Sequence, residues 1–174
     1  TKNSIETECS NMYSLLSQAS SILEDKLEHC HAQSMDVLSN PSTASLMATP
    51  DRNDFSRVLE ASTLLSNYAQ KNEFIVEAWI YMKSSQQVLT SSQELKDFTD
   101  CEHFPAAYLD KLKDSDSFLL FTDENKYYLA TTYPSWNSLG ILISRISPLY
   151  LYRQISDDIN LVSGHQLYLY DDTN

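Results

Sequence analysis

Glycine is almost missing from this sequence, which has only Gly140 and Gly164 in 174 residues. Loops that cradle phosphate groups, of the GxGxxG or GxxxxGK type, need several glycines at fixed spacing. The turn that exposes a nucleophilic serine, GxSxG, needs two closely spaced glycines. Because neither pattern can be written here, the sequence excludes nucleotide-binding and hydrolase sites of these kinds.

Positive charge is also scarce. The chain has 12 Lys and Arg against 24 Asp and Glu, a formal net charge of -12 and an isoelectric point of about 4.5. Nucleic-acid binding needs clustered basic residues, and docking on anionic lipid needs the same. We therefore predict no nucleic-acid partner and no peripheral docking on anionic lipid.

The cysteines and histidines form no recognisable metal or redox motif. The three cysteines are Cys9, Cys30 and Cys101, and no CxxC occurs, so neither a zinc ribbon nor a thioredoxin-type site is indicated. His29 and His31 are two positions apart and would face different sides of a helix. We find no nucleophile, base and acid that form a catalytic set, and we predict a protein that is not an enzyme and uses no metal or cofactor.

Long apolar runs are absent. No segment reaches the ~18 consecutive apolar residues of a membrane span, and the most apolar stretch is interrupted by Arg145 and Pro148. The chain begins at Thr1 without a methionine, and we interpret it as a piece of a longer protein. Membrane spans that flank it would then lie outside this sequence.

The first 39 residues have the pattern of one long amphipathic helix. Apolar residues recur every three or four positions, close to a heptad repeat: Ile5, Cys9, Met12, Leu16, Ala19, Leu23, Leu27, Cys30 and Val37. No proline or glycine interrupts the run before Pro41. The spacing predicts a helix over residues 4–39, and a second helix over 51–70 completes an N-terminal helical region, residues 1–72.

The remainder, residues 73–174, has the pattern of a small antiparallel sheet. In EFIVEAWIYMKSSQQVLTSSQ, Phe74–Met82 and Val88–Thr90 are predicted to form a strand pair. A helical insert over Gln93–Lys113 follows, with a last short helix over Pro105–Lys113. The later strands are SFLLFTD, KYYLATTYP and SLGILISRIS, followed by the helix PLYLYRQISDDINL and a strand in HQLYLYDD. The predicted class is α+β, with the long N-terminal helix packed on a PAS-like antiparallel sheet of about five strands.

Aromatic residues on these strands are the candidate ligand contacts, because flat apolar rings with hydroxyl edges suit small organic molecules. Trp79 and Tyr81 alternate and share one face of their strand. Tyr128 must face the opposite side from Thr131 and Tyr133, so the sequence leaves open which of these share a pocket with Trp79. The full candidate set is Trp79, Tyr81, Tyr108, Tyr128, Thr131, Tyr133, Trp136 and Arg145.

Arg145 stands alone on an apolar strand and needs a partner. Two interpretations stay open: a salt bridge to Glu77 or Asp123, or binding of an anionic ligand. With so few cations nearby, we expect the ligand to be small and uncharged or weakly anionic. We expect it to bind between the sheet and the insert, since a long insertion over a sheet often acts as a lid.

The sequence resembles the extracellular Cache sensor domains of bacterial receptors. The resemblance is carried by the long helix leading into FIVEAWIYMKSSQQVLTSS, by KYYLATTYP followed by LGILISRIS, and by LYRQISDDINLVSGHQLYLYDD at the end. It covers most of the chain. It implies a PAS-like core over residues 73–174, whose C-terminal end leads into a second module as in double Cache domains.

The resemblance also implies a function. The chain would be the extracytoplasmic ligand-sensing domain of a membrane receptor, tethered to the cell membrane by flanking spans. Its output would be a histidine kinase, a chemoreceptor or an AraC-type transcription regulator. A small molecule bound on the sheet would shift the long helix that leads to the membrane.

One departure from the family concerns amino acids. Cache domains that bind amino acids carry an Arg-x-Trp-Tyr signature, and the matching region here, HFPAAYLDKLKD, has no arginine. The resemblance therefore does not extend to α-amino-acid binding.

A second hypothesis is a helical dimerisation or assembly module without a small-molecule ligand, since the heptad-like face of the first helix could pair with a second copy. A sensor is expected to show a partly polar cavity against the sheet. An assembly module is expected to show a filled core and an apolar stripe left open on the helix.

Overall fold

The long N-terminal helix is the largest element of the computed structural model, which describes residues 2–112, 118–133 and 139–159. Helix α1 spans Lys2–Ser39, as the uninterrupted spacing predicts. The described residues fall into two compact units. One comprises Cys30–Ser147 and contains the whole sheet. The described residues before Cys30 and after Ser147 belong to the other.

Two further helices follow α1 in the Cys30–Ser147 unit. Helix α2, Pro41–Ala48, was not predicted. The Asn40 side chain caps it by accepting from the Ser42 amide at 2.9 Å, and proline suits its first position. Helix α3 spans Phe55–Lys71 and begins later than the expected residue 51 because Asp54, which accepts from the Arg57 amide at 3.1 Å, is its cap.

In the described ranges of the chain, six antiparallel strands form one sheet. They are β1 Ile75–Met82, β2 Gln87–Thr90, β3 Leu95–Asp97, β4 Phe118–Asp123, β5 Lys126–Tyr133 and β6 Gly140–Ile146. Their order across the sheet is β3-β2-β1-β6-β5-β4. The α+β class and the antiparallel sheet agree with the sequence, which predicted about five strands.

The additional strand, β3, lies inside the insert that the sequence predicted as helix and loop. It returns along β2 after a turn in which Gln93 adopts a positive φ of 65°. The rest of the insert contains single helical turns at Phe98–Asp100 and Ala106–Tyr108, and the short helix α4, Leu109–Leu112. In the described part of the predicted helix over Pro105–Lys113, the structure has the single turn Ala106–Tyr108 and the short helix α4.

The β4–β5 hairpin closes through Glu124 and Asn125, which have φ values of 46° and 62°. Two consecutive positive φ angles are typical of the tight turn that matches the twist of paired strands. After β6, helix α5 spans Pro148–Asp158, as predicted from its leading proline. The strand predicted in HQLYLYDD lies outside the described residues.

The two faces of the sheet are covered by different parts of the chain. The insert packs on the face that carries Trp79, Tyr81 and Tyr128. The C-terminal part of α1, with α2 and α3, packs on the other face. Helix α2 approaches the sheet closely at Gly140 of β6. A Cβ atom at this position would lie 2.5 Å from Met47 Sδ and 2.7 Å from the Tyr81 carbonyl oxygen.

The apolar face of α1 is exposed in the N-terminal part of the helix and buried in its C-terminal part. Ile5, Met12 and Leu16, which belong to the predicted apolar face, are each more than half exposed. From Cys30 onward the same face is buried, and it includes Ser34, Val37 and Leu38. Within the described ranges, no helix is long and apolar enough to cross a membrane.

Candidate functional site

The predicted aromatics on the insert-covered face are packed into a core. Trp79 and Tyr81 are 4% exposed and Tyr128 is 1% exposed. Trp79 meets Phe104 edge-on, with ring centroids 5.9 Å apart, and Phe121 stacks on Tyr128 at 5.3 Å. Tyr108 of the insert stacks on Phe121 at 4.8 Å. These rings therefore fix the insert on the sheet rather than forming the walls of a broad pocket.

Thr131 and Tyr133 lie on the helix-covered face, because Trp79 aligns through Ile143 with Ala130 of β5. The hydroxyl of Thr131 is buried and lies 2.7 Å from the Ser34 hydroxyl of α1. These two residues consequently lie on the opposite face of the sheet from Trp79 and Tyr128. Trp136, also in the candidate set, lies outside the described residues.

A cleft of about 370 Å³ opens between the edge of the sheet and the first part of the insert. Of the predicted site residues that the structure describes, Trp79 alone lines it. The other lining residues come from β1, the β2–β3 turn and the insert: Glu77, Ala78, Thr90, Ser91, Ser92, Lys96, Asp100, Cys101 and Glu102. Thr90–Ser92 belong to a segment that carries the Cache resemblance. Nothing in the sequence pattern indicated that Asp100–Glu102 would lie at the same cleft.

Glu77 is held at the cleft by two neighbouring elements. It lies directly opposite Arg145 across the β1–β6 pair, next to a register shift between Ile75 and Glu77. Both Nε and Nη2 of Arg145 lie 2.8 Å from Glu77 Oε2. Of the two carboxylates that the sequence offered to Arg145, the structure pairs it with Glu77. Bulges of this kind commonly redirect a side chain beside a functional site.

The insert loop beside Glu77 is held in place by a hydrogen bond from Tyr128 of β5. The Tyr128 hydroxyl donates to the backbone carbonyl of His103 at 2.9 Å, and His103 adopts a positive φ of 60°. Its Nδ1 lies 3.5 Å from Glu77 Oε2. Tyr128 thus contributes to the cleft indirectly, by positioning the loop that carries Glu102 and His103.

The positive charges around the cleft are already paired. Arg145 pairs with Glu77, and the Lys96 ammonium forms an ion pair with Glu94. Asp100 and Glu102 add further negative charge to the lining. Burial raises the pKa of the Cys101 thiol, which the nearby Lys96 partly offsets, so Cys101 is a protonated, weakly nucleophilic group at neutral pH.

Two buried polar connections tie α1 to the opposite face of the same sheet. Ser34 contacts Thr131 of β5 directly. Cys30 Sγ lies 3.1 Å from the Tyr68 hydroxyl, which lies 2.9 Å from the Ser144 hydroxyl of β6. Burial raises the pKa of Cys30 to about 11 and that of Tyr68 well above its usual value, so both groups stay protonated.

Metal ligation finds no support in the part of the chain that the structure describes. No group of three or more His, Cys, Asp or Glu side chains there is arranged to hold a metal ion. His29 lies on the exposed side of α1, whereas the ring of His31 stacks on Phe118 with centroids 4.5 Å apart. The two histidines therefore point to different surroundings, as their spacing predicts.

Comparison with known proteins gives no family model and no curated protein that matches this chain. Among solved structures, the extracellular domain of vpHK1S-Z8, described as a histidine kinase, matches with a TM-score of 0.65 and 12% identity. That match covers 88% of this chain and 63% of that domain, so this chain spans less than two thirds of its structural relative.

Two other matches have lower TM-scores. The sensory domain of the Campylobacter jejuni chemoreceptor Tlp3 with isoleucine bound gives 0.46 at 15% identity, covering 83% of this chain and 66% of that one. A domain of a sensory box/GGDEF family protein from Vibrio parahaemolyticus gives 0.43 at 12% identity, covering 82% and 64%. The likeness to that extracellular domain shows the fold alone: this chain shares its architecture, in agreement with the long N-terminal helix and PAS-like antiparallel sheet predicted from the sequence.

Proposed function

We propose that this chain is the extracytoplasmic ligand-sensing domain of a bacterial membrane receptor and that it is not catalytic. The observation that carries the proposal is the cleft of about 370 Å³ between the sheet and the insert, on a fold also found in the extracellular domain of a protein described as a histidine kinase. A cleft of this size suits a small molecule. The flanking membrane spans, a following second module and the output, whether histidine kinase, chemoreceptor or AraC-type regulator, belong to the same proposal.

The long helix is the element that passes on the signal in this proposal. Its C-terminal part is joined to β5 through Ser34 and to β6 through Cys30 and Tyr68. Because buried polar contacts have few alternative partners, a shift of these strands favours a matching shift of α1. A ligand that binds one arrangement of the sheet more tightly then biases the position of the helix.

The ion pairs at the cleft change the charge that we expect the ligand to carry. The sequence favoured an uncharged or weakly anionic molecule, with Arg145 as a candidate anchor. In the structure Arg145 is engaged by Glu77 and Lys96 by Glu94, so an anion would have to displace an existing ion pair. A neutral or positively charged ligand meets no such cost.

A thermal-shift screen tests the proposal. We expect at least one small molecule from a panel of sugars, amines, organic acids, amino acids and purines to stabilise the domain, by about 2.7 kcal/mol at a hundredfold excess over its Kd. Ser92→Phe, which fills the cleft, should abolish this stabilisation. Ser56→Phe, at an exposed position of α3, should leave it intact.

The same screen can contradict the proposal in two ways. A hit that stabilises Ser92→Phe as much as the parent would place the ligand outside the cleft. A complete absence of hits across the panel would favour the assembly hypothesis instead.

A second candidate function, homodimerisation through α1, is favoured by the exposed apolar residues Ile5, Met12 and Leu16. Their heptad-like spacing is typical of a helix that pairs with a second helix. We expect sedimentation at increasing concentration to show a dimer, and Met12→Glu to return it to monomer. Ser14→Glu on another face should not do so, and a parent chain that stays monomeric at high concentration would contradict dimerisation by this domain alone.

A further inference from the structure

Glu77 is the fixed carboxylate of the cleft, and its two oxygens are in different situations. Oε2 lies 2.8 Å from both Nε and Nη2 of Arg145, and 3.5 Å from Nδ1 of His103. No side-chain hydrogen bond among the described residues reaches Oε1. The carboxylate is therefore oriented through one oxygen while the other is left as an acceptor on a residue that lines the cleft.

Polar groups that line the cleft beside Glu77 make hydrogen bonds and ion pairs with residues other than Glu77. The Thr90 and Ser92 hydroxyls lie 2.8 Å apart and bond each other, and Thr90 also bonds the backbone of Glu94. The Lys96 ammonium is paired with Glu94. The hydroxyls of Thr90 and Ser92 and the Lys96 ammonium thus already have partners within the chain.

Trp79 is the aromatic residue in the lining of the cleft. Trp79 is two residues from Glu77 on the same strand, so the two side chains lie on the same face of the sheet. An indole next to a carboxylate favours a ligand that combines a positive head with an apolar chain. An anionic head would instead meet Glu77, Asp100 and Glu102.

We propose that the cleft binds a small protonated amine, whose ammonium group donates to Glu77 Oε1 while its carbon chain lies along Trp79. The inference rests on the proposed sensing function and names its ligand class. Glu77 is then the residue that determines specificity, and Arg145 is a positioning residue that orients it. An ammonium-to-carboxylate hydrogen bond is stronger than a neutral one, which gives the amine its advantage over an alcohol of the same length.

Three five-carbon probes that differ only in their end groups test this: cadaverine, 1,5-pentanediol and glutarate. Calorimetry on the parent chain is expected to show binding of cadaverine alone. Glu77→Gln keeps the shape of the side chain and removes its charge, and it should weaken cadaverine binding by about tenfold or more. Glu28→Gln, at an exposed position of α1, makes the same change in net charge and should leave the affinity within about twofold.

Glu77→Asp guards against a folding defect in the glutamine variant. It keeps the charge on a shorter side chain, and it should bind cadaverine more tightly than Glu77→Gln and less tightly than the parent. Melting curves without probe confirm that each variant is folded before binding is compared.

Several results would overturn the amine inference, and they are separable from failure of the sensing proposal. Equal weakening by Glu77→Gln and Glu28→Gln would mean that cadaverine responds to overall charge. Binding of 1,5-pentanediol or glutarate in place of cadaverine, lost in Ser92→Phe, would leave the cleft as the sensing site but with another ligand class. If none of the three probes binds the parent, the amine inference fails, and the broader screen alone decides the sensing proposal.

Discussion

Trp79→Ala is expected to lower the free energy of unfolding by about 3–5 kcal/mol, the range typical of removing a buried aromatic side chain. Trp79 is 4% exposed and packs edge-on against Phe104 of the insert. Its loss leaves a cavity between the sheet and the insert and removes one of the aromatic contacts that hold the two together. Equilibrium denaturation in urea, followed by circular dichroism, measures the change.

Phe55→Ala is the matched control for this variant. Phe55 is an aromatic residue of α3 that is 76% exposed, so its truncation should change the stability by less than about 0.5 kcal/mol. A similar small effect for Trp79→Ala would show that the insert does not pack on the sheet as described. Because Trp79 both packs in the core and lines the cleft, loss of ligand binding in Trp79→Ala would not by itself locate the ligand.

Tyr68→Ala is expected to have a comparable effect, about 3–5 kcal/mol, for a different reason. Tyr68 is 3% exposed, and its hydroxyl contacts both Cys30 and Ser144. Truncation removes part of the packing of α3 on the sheet and also leaves the Ser144 hydroxyl buried without this partner. Tyr13→Ala in α1, where the ring is 75% exposed, is the control and should change little.

Tyr68→Phe separates the two contributions. It keeps the ring and removes only the hydroxyl, so it should cost about 1–3 kcal/mol through the unsatisfied Ser144 hydroxyl and Cys30 thiol. In the double variant with Ser144→Ala, part of this cost should disappear, since the stranded hydroxyl is then gone. Strict additivity of the two changes would contradict a hydrogen bond between Tyr68 and Ser144.

The sequence predicted the elements whose patterns are long and regular. The spacing from Ile5 to Val37 sustains α1 over 38 residues, and β-branched and aromatic residues mark β1 and β4 to β6. It missed α2 and β3, which have eight and three residues. Elements this short have no readable period, and their presence depends on the Asn40 cap and on pairing with β2, which are tertiary and local bonding effects.

The site was harder to predict than the fold. Alternation along β5 correctly separates Tyr128 from Thr131, but it cannot tell which face the insert covers. That depends on the cross-strand register that aligns Trp79 with Ile143 and Ala130. The hydroxyls of Thr90–Ser92 and the acids at Asp100 and Glu102 lie in turns, where no periodicity indicates which residues converge.

Burial of Cys30 has a chemical consequence for the reactivity of its thiol. With a pKa of about 11, roughly one Cys30 thiol in ten thousand is ionised at pH 7, and only the thiolate reacts rapidly with oxidants or alkylating reagents. Cys30 is thus kinetically inert while the domain stays folded, although it is a free thiol. Cys9, exposed near the start of α1, is the position that a thiol-directed label reaches first, and a label there leaves the contact between Cys30 and Tyr68 untouched.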